Sequence, residues 1–375
     1  MRRSRPAGLY IHVPFCARRC SYCAFVTSTD LDQRGRTVAA LAAEIARVAG
    51  RGGRELETVY LGGGTPSLLP PHELAAVLDA VRRGFVVRPG AEVTLEANPD
   101  DVGEATVAGW ARLGVNRVSL GVQSFDDGVL ELLNRRHGAA DARAAARRVQ
   151  AAGLQLSIDL MLALPRLHRA ALDETLAETV ALRPDHVSVY LLETDKPHRL
   201  GELAGRLPDL FPDADAAADQ YLATGRTLRA AGYRHYEISN FALPGRQARH
   251  NTRYWLGQTV LAVGVAAHGQ AGRRRWANLE PLPAWLEAVE AGRTARAWSR
   301  RLAADEAARE AAMVRLRLAR GAPLALIERC AGLAPAFAGR LAEFEQLGLA
   351  CRRRGRLRLT PRGWLLSNEL LATLW

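Results

Sequence analysis

The chain has 375 residues, 48% of them apolar and 24% charged, with a formal net charge of +12. That length allows one large core with a satellite domain, and that apolar fraction excludes disordered and fibrous classes. No run approaches the roughly 18 apolar residues of a membrane-crossing helix, and the positive charge is no nucleic-acid footprint, because Lys196 is the single lysine and arginine is spread through every segment.

The basic start, Met1 to Arg5, leads into an apolar run, Leu9 to Val13, that His12 and Pro14 break too soon for a signal-peptide core. A cytoplasmic location is expected. Five cysteines, three of them inside eight residues, do not make a disulfide framework.

Along the chain, strands are predicted at Leu9 to Val13, Thr58 to Leu61, Glu92 to Glu96, Arg117 to Leu120, Leu156 to Asp159 and His186 to Leu191. Alanine-rich helical periodicity fills the gaps, at Val38 to Val48, Leu74 to Arg83, Glu104 to Leu113, Ala139 to Ala152 and Ala171 to Leu182. This alternation predicts an α/β fold of parallel β/α units in one sheet. Polar or glycine-rich stretches directly follow the strands, at Pro14 to Cys23, Gly62 to Ser67, Ala97 to Asp100, Gly121 to Ser124 and Ala163 to Pro165. In β/α barrels, closed or partial, that edge is where a site assembles.

From Phe211 the pattern changes. A helix is expected over Asp213 to Ala230, followed by Tyr233 to Phe241, a polar and aromatic stretch from Arg249 to Trp255, and Gly264 to Gly269. The tail from Ala303 is helical again and ends in a strand at Leu357 to Thr360, the pattern of a small winged-helix-like domain. The expected division is 1–210 for the barrel, 211–302 for an extension and 303–375 for the C-terminal domain. Such wings bind DNA or dock partners, and nucleic acid is not the expected partner here. The runs Arg273-Arg274-Arg275 and Arg352-Arg353-Arg354 stand as basic patches or as solvated surface.

Cys16, Cys20 and Cys23 offer three thiolates in the loop after the first strand. On a four-iron cubane they leave one iron open, since Cys330 and Cys351 belong to the tail. A structural zinc on the three thiolates and His12 is the alternative. The segment Tyr10-Ile11-His12-Val13-Pro14-Phe15-Cys16-Ala17-Arg18-Arg19-Cys20-Ser21-Tyr22-Cys23 resembles the start of the radical S-adenosylmethionine (SAM) superfamily, in the branch of oxygen-independent coproporphyrinogen oxidases (HemN) and heme chaperones (HemW). The resemblance implies a partial (β/α)6 barrel with a [4Fe–4S] cluster whose open iron chelates SAM and whose electron cleaves the sulfonium.

It further implies roles for residues in the strand-end loops. Gly62-Gly63-Gly64-Thr65-Pro66-Ser67 corresponds to the loop that holds the methionine end of SAM. Tyr10, Glu96, Gln123, Arg135 and Asp159 correspond to SAM-contacting residues, and Tyr22 packs on the cluster or adenine side. Decarboxylating oxidases of the branch carry a cysteine two residues after the third cluster cysteine, and a long N-terminal extension. Here Phe25 stands at that position and the first cluster cysteine is already at 16, both of which favour the chaperone group.

Tyr236-Glu237-Ile238-Ser239-Asn240-Phe241-Ala242 and His250-Asn251-Thr252-Arg253-Tyr254-Trp255 also resemble that group's segments. His250 is the expected heme contact, set against simple packing, with His268 a weaker one. Two stretches depart from the group, because alanine stands where glycine is common: around Ala163 and around Ala266. The expected function is a heme chaperone delivering heme to cytochromes or respiratory heme proteins; the alternative is a radical SAM enzyme acting on a porphyrin or transferring a methyl group. An electron donor, a homodimer and peripheral membrane contact rest on the resemblance alone.

Overall fold

The computed structural model describes residues 5–50 and 53–375; residues 1–4 of the basic start, weighed above as a signal peptide, lie outside the described residues. The first strand, β1 (Ala7–Val13), sends Leu9, Ile11 and Val13 into the core and Tyr10 and His12 to the opposite face. The same unit then recurs: α1 (Arg34–Ala49), β2 (Glu55–Gly63), α2 (Pro71–Gly84), β3 (Val86–Ala97), α3 (Glu104–Arg112) and β4 (Arg117–Gln123). It continues with α4 (Asp127–Leu132), α5 (Ala139–Ala151), β5 (Gln155–Leu162), α6 (Arg169–Leu182), β6 (His186–Leu191) and α7 (Arg199–Arg206). Strands β1 to β6 pair in sequence order, all parallel.

The following segment extends this sheet at both ends. After α8 (Ala214–Ala230), β7 (Arg234–Glu237) and β8 (Asn240–Ala242) form a hairpin with β8 antiparallel to β6. After α9 (Arg249–Trp255), β9 (Val260–Val263) returns beside β1 as one more parallel strand, followed by β10 (His268–Ala271), β11 (Arg274–Asn278), α10 (Leu282–Glu290) and β12 (Arg296–Arg301). The sheet runs β12-β11-β10-β9-β1-β2-β3-β4-β5-β6-β8-β7 and stays open, a partial barrel whose outer face is covered by helices and whose inner face lines a lumen.

The polar, aromatic stretch at Arg249 to Trp255 is a helix, for a reason distant in sequence. Glu92 of β3 accepts the amides of Arg249 at 2.9 Å and His250 at 2.8 Å, so a carboxylate from another strand satisfies the first turn.

The tail packs around a second apolar core that includes Phe337, Leu341, Phe344 and Leu357. Its order is α11 (Ala304–Leu316), β13 (Ala322–Pro323), α12 (Leu324–Leu333), α13 (Pro335–Gln346), then the hairpin β14 (Ala350–Arg353) and β15 (Arg356–Leu359), closed by α14 (Pro361–Leu365) and α15 (Ser367–Leu371). Cys330 is buried in this core and Cys351 is exposed on β14. Among the described residues no helix is long and apolar enough to cross a membrane.

The two alanines that replace expected glycines sit in left-handed backbone, Ala163 at φ 56° and Ala266 at φ 55°. A Cβ there costs roughly 1–2 kcal/mol, against about 0.4–1 kcal/mol of unfolded-chain entropy that alanine saves. Ala163→Gly and Ala266→Gly should each therefore raise stability by about 0.5 kcal/mol in urea unfolding, and a loss of stability would contradict the strained backbone.

Candidate functional site

Inward-facing side chains at the C-terminal ends of β1 to β5 meet the cysteine loop. The loop is pinned from both sides: the Cys16 amide donates to the Ser28 carbonyl, Ser21 bonds the Leu132 and Leu133 carbonyls, and the Gly64 amide donates to the Val13 carbonyl at 2.8 Å. Gly63 has φ 119°, and a Cβ there would lie 2.6 Å from the His12 ring; one on Gly64 would lie 2.7 Å from the Pro14 and Phe15 carbonyls. These glycines let β2 press against the start of the cysteine loop.

All three thiols are free. Thr65 donates to the Cys16 sulfur at 3.5 Å, and Arg135 donates to the Cys20 sulfur at 3.2 Å. Burial pushes the Cys16 thiol up to about 11, opposed by the Thr65 hydrogen bond, and burial raises Cys23 as well. Arg135 also reaches the Tyr22 hydroxyl at 3.3 Å, Asn98 Oδ1 at 2.5 Å and the Gly121 carbonyl at 2.8 Å, while its buried Nε has no partner among the described residues. Burial works against its charge, yet the Tyr22 hydroxyl and Cys20 hold the guanidinium protonated.

The zinc alternative does not match this arrangement. His12 uses Nδ1 on the Tyr10 hydroxyl at 3.1 Å and Nε2 on the Val26 carbonyl at 3.0 Å. Among the described residues, no three His, Cys, Asp or Glu side chains converge as around one metal ion. A cubane instead takes one thiolate at each of three separate corners, so the donor set fits a [4Fe–4S] cluster on Cys16, Cys20 and Cys23. Such a cluster supplies an open iron to chelate SAM and an electron to cleave it.

Glu96 lies on the lumen side of β3. Tyr60 donates to its Oε1 at 2.7 Å and the Gly63 amide to its Oε2 at 3.0 Å. Burial pushes its carboxyl up to about 7, those two hydrogen bonds pull it down, and the Asp159 charge adds to the rise. Asp159 accepts from Ser119 at 3.0 Å, and burial raises it too. Gln123 ends β4 in left-handed backbone at φ 68°, the kind of strain that clusters at ligand sites. Phe25 stands on the cysteine loop with 68% of its surface exposed.

His250 is enclosed rather than presented. Only 1% of its surface reaches solvent, it stacks on Tyr60 at 5.1 Å, and Tyr254 meets it edge-on. Burial pushes its imidazole down to about 3, so the ring is neutral. Nδ1 lies 2.9 Å from the Thr58 hydroxyl, and among the described residues Nε2 has no partner. With Nδ1 donating to Thr58, Nε2 carries the lone pair that a metal ligand needs. His268 lies on β10, toward one edge of the sheet, exposed beside Trp298.

Two buried acids escaped the motif-based reading. Glu44 of α1 accepts the Gly264 amide at 2.8 Å, the Asn278 side chain at 2.8 Å and the Trp285 indole at 3.1 Å. Glu237 pairs across the ladder with Asn240, which pairs with Ser188, and Ser188 pairs with Asp159, so register puts Glu237 on the lumen side. Among the described residues neither of its oxygens has a hydrogen bond of proper geometry, although the Ser239 amide and Asn240 lie close enough to favour the ionised form.

Burial nonetheless pushes Glu237 up to about 7 from 4.5. Between those pH values the folded chain holds a proton that the unfolded chain has released, so stability falls as pH rises through the window and levels off above it. Glu237→Gln removes that slope. In urea melts its advantage over the parent should grow by up to about 3 kcal/mol from pH 4.5 to pH 7; a constant difference would contradict it.

An open parallel barrel with a three-thiol loop at the C-terminal edge of its first strand defines a radical SAM protein. The Radical SAM superfamily model matches residues 10–178, and the HemN C-terminal domain model matches residues 302–366. The heme chaperone HemW of Mycobacterium tuberculosis is 37% identical over 99% of this chain and 95% of its own. HemW of Escherichia coli is 38% identical over 71% of this chain and 70% of its own, and a bovine mitochondrial radical S-adenosyl methionine domain-containing protein 1 is 39% identical over 76% and 67%. The chain belongs to the HemW family of the radical SAM superfamily. The solved structure of coproporphyrinogen III oxidase (HemN) from Escherichia coli shares its fold, with TM-score 0.87 and 23% identity over 99% of this chain and 90% of that one. The cofactors of this superfamily are a [4Fe–4S] cluster and SAM.

Proposed function

We propose that the chain is a heme chaperone, binding heme and delivering it to recipient heme proteins such as cytochromes, with its cluster on Cys16, Cys20 and Cys23. The observation that carries this reading is Phe25, solvent-facing on the cluster loop where decarboxylating oxidases of the branch carry a cysteine. Near-full-length similarity to a protein named heme chaperone HemW supports it. In this proposal Tyr10, Tyr22, Gly63, Gly64, Thr65, Glu96, Gln123, Arg135 and Asp159 form the SAM site. His250 supplies a neutral Nε2 to heme iron once the Tyr60–Tyr254 enclosure opens. The proposal places the protein in the cytoplasm, with units at 1–210, 211–302 and 303–375, and includes an electron donor for the cluster, a homodimer and peripheral membrane contact.

Heme titration of the anaerobically reconstituted protein, run beside product analysis with coproporphyrinogen III, SAM and a reductant, tests the reading. Saturable one-to-one heme binding without porphyrin conversion is expected. Decarboxylated or methylated product would make it an enzyme instead. Unchanged heme affinity in His250→Phe would remove His250 as the ligand.

A further inference from the structure

The strand at the outer edge of the sheet has features the cluster and lumen do not use. All six residues of β12 are exposed, and among the described residues the backbone groups of 297–301 bond to nothing beyond the β11 ladder. Such an edge is a template for another strand. A bulge at 297 in the pairing with β11 puts Trp298 and Arg300 on the face of His268 and Arg275, and Arg296 and Arg301 on the face of Trp276 and Arg274.

Charge and aromatic surface are concentrated there. Trp298 is 43% exposed and lies edge-on to the exposed His268, ring centroids 6.1 Å apart, while Arg296 lies over Trp276 at 5.0 Å. The nearby Arg275 and Arg300 have carboxylate partners, Glu310 and Glu306. Among the described residues, Arg273, Arg274, Arg296 and Arg301 have no carboxylate within 4.0 Å, so their charge is free for a partner. Charge and the bulge would serve to keep the edge from self-pairing; an uncovered tryptophan does not serve that end, because it adds apolar surface.

We infer that β12 is a docking edge for an extended acidic peptide of a partner protein, added to the sheet as a further strand. Free backbone groups supply the ladder. Alternate side chains supply selectivity, with acids on the face of Arg296 and Arg301 and apolar residues on the face of Trp298. Nucleic acid fits less well, since it has no use for a strand's amides and carbonyls.

The test uses the full chain and a short fluorescein-labelled peptide of alternating glutamate and valine, with the lysine–valine peptide and a single-stranded oligodeoxynucleotide as competitors. Saturable anisotropy with the acidic peptide is expected, weakening with salt, together with slowed amide exchange across residues 296–301. Arg296→Glu with Arg301→Glu should weaken binding by on the order of tenfold, with Trp298→Ala weakening it independently. Circular dichroism checks that these surface variants fold. Absence of saturable binding, tighter binding of the oligonucleotide, unchanged amide exchange, or full affinity in both variants would overturn the assignment.

Discussion

Serine in place of any one of Cys16, Cys20 or Cys23 is expected to take iron content after anaerobic reconstitution from four atoms per chain to near zero. The cubane needs three thiolates to hold three of its irons. No other cysteine can substitute, because Cys330 is buried in the C-terminal core and Cys351 is exposed on its hairpin. The fold should survive, since the loop is pinned through the Cys16 amide, Ser21 and the residues around it rather than through sulfur. Far-ultraviolet circular dichroism should match the parent while the visible absorbance of the cluster disappears. Full iron and sulfide in any single variant would mean that the assigned thiols do not all bind.

Glu44→Ala is expected to cost about 3–5 kcal/mol in urea unfolding. The carboxylate takes three donors from three different elements: the turn after β9, the end of β11 and the Trp285 indole of α10. Truncation leaves all three buried and unpaired and opens a void beside Trp285, which is fully buried. Glu44→Gln keeps the shape and part of the acceptance, and should lose less than half as much. Equal losses in the two variants would mean that Glu44 fills space and its acceptor chemistry is idle.

Local signals made the barrel legible. Each parallel strand is a short run whose alternate residues, such as Leu9, Ile11 and Val13, pack against helices, and each is followed by a polar loop. The thiol loop was legible because three cysteines in eight residues have few uses. What stayed hidden depends on distant partners. The helix at Arg249–Trp255 begins on Glu92, more than 150 residues earlier, with no capping residue of its own at Ala248. Glu237 looks like part of a motif until its register with Asn240 turns it inward. Strand β12 carries no alternation because solvent reaches both faces. His250 read equally as ligand or packing; the fold encloses it and leaves its Nε2 free, a combination that one-dimensional pattern does not encode.

Heme transfer tests the central claim most directly. The protein carrying one heme, mixed anaerobically with an apo-cytochrome and followed by the shift of the heme absorbance, should pass its heme to the acceptor faster than it loses heme to a neutral scavenger, with the porphyrin chemically unchanged. Release to acceptor and scavenger at the same rate, or recovery of an altered porphyrin, would contradict a chaperone.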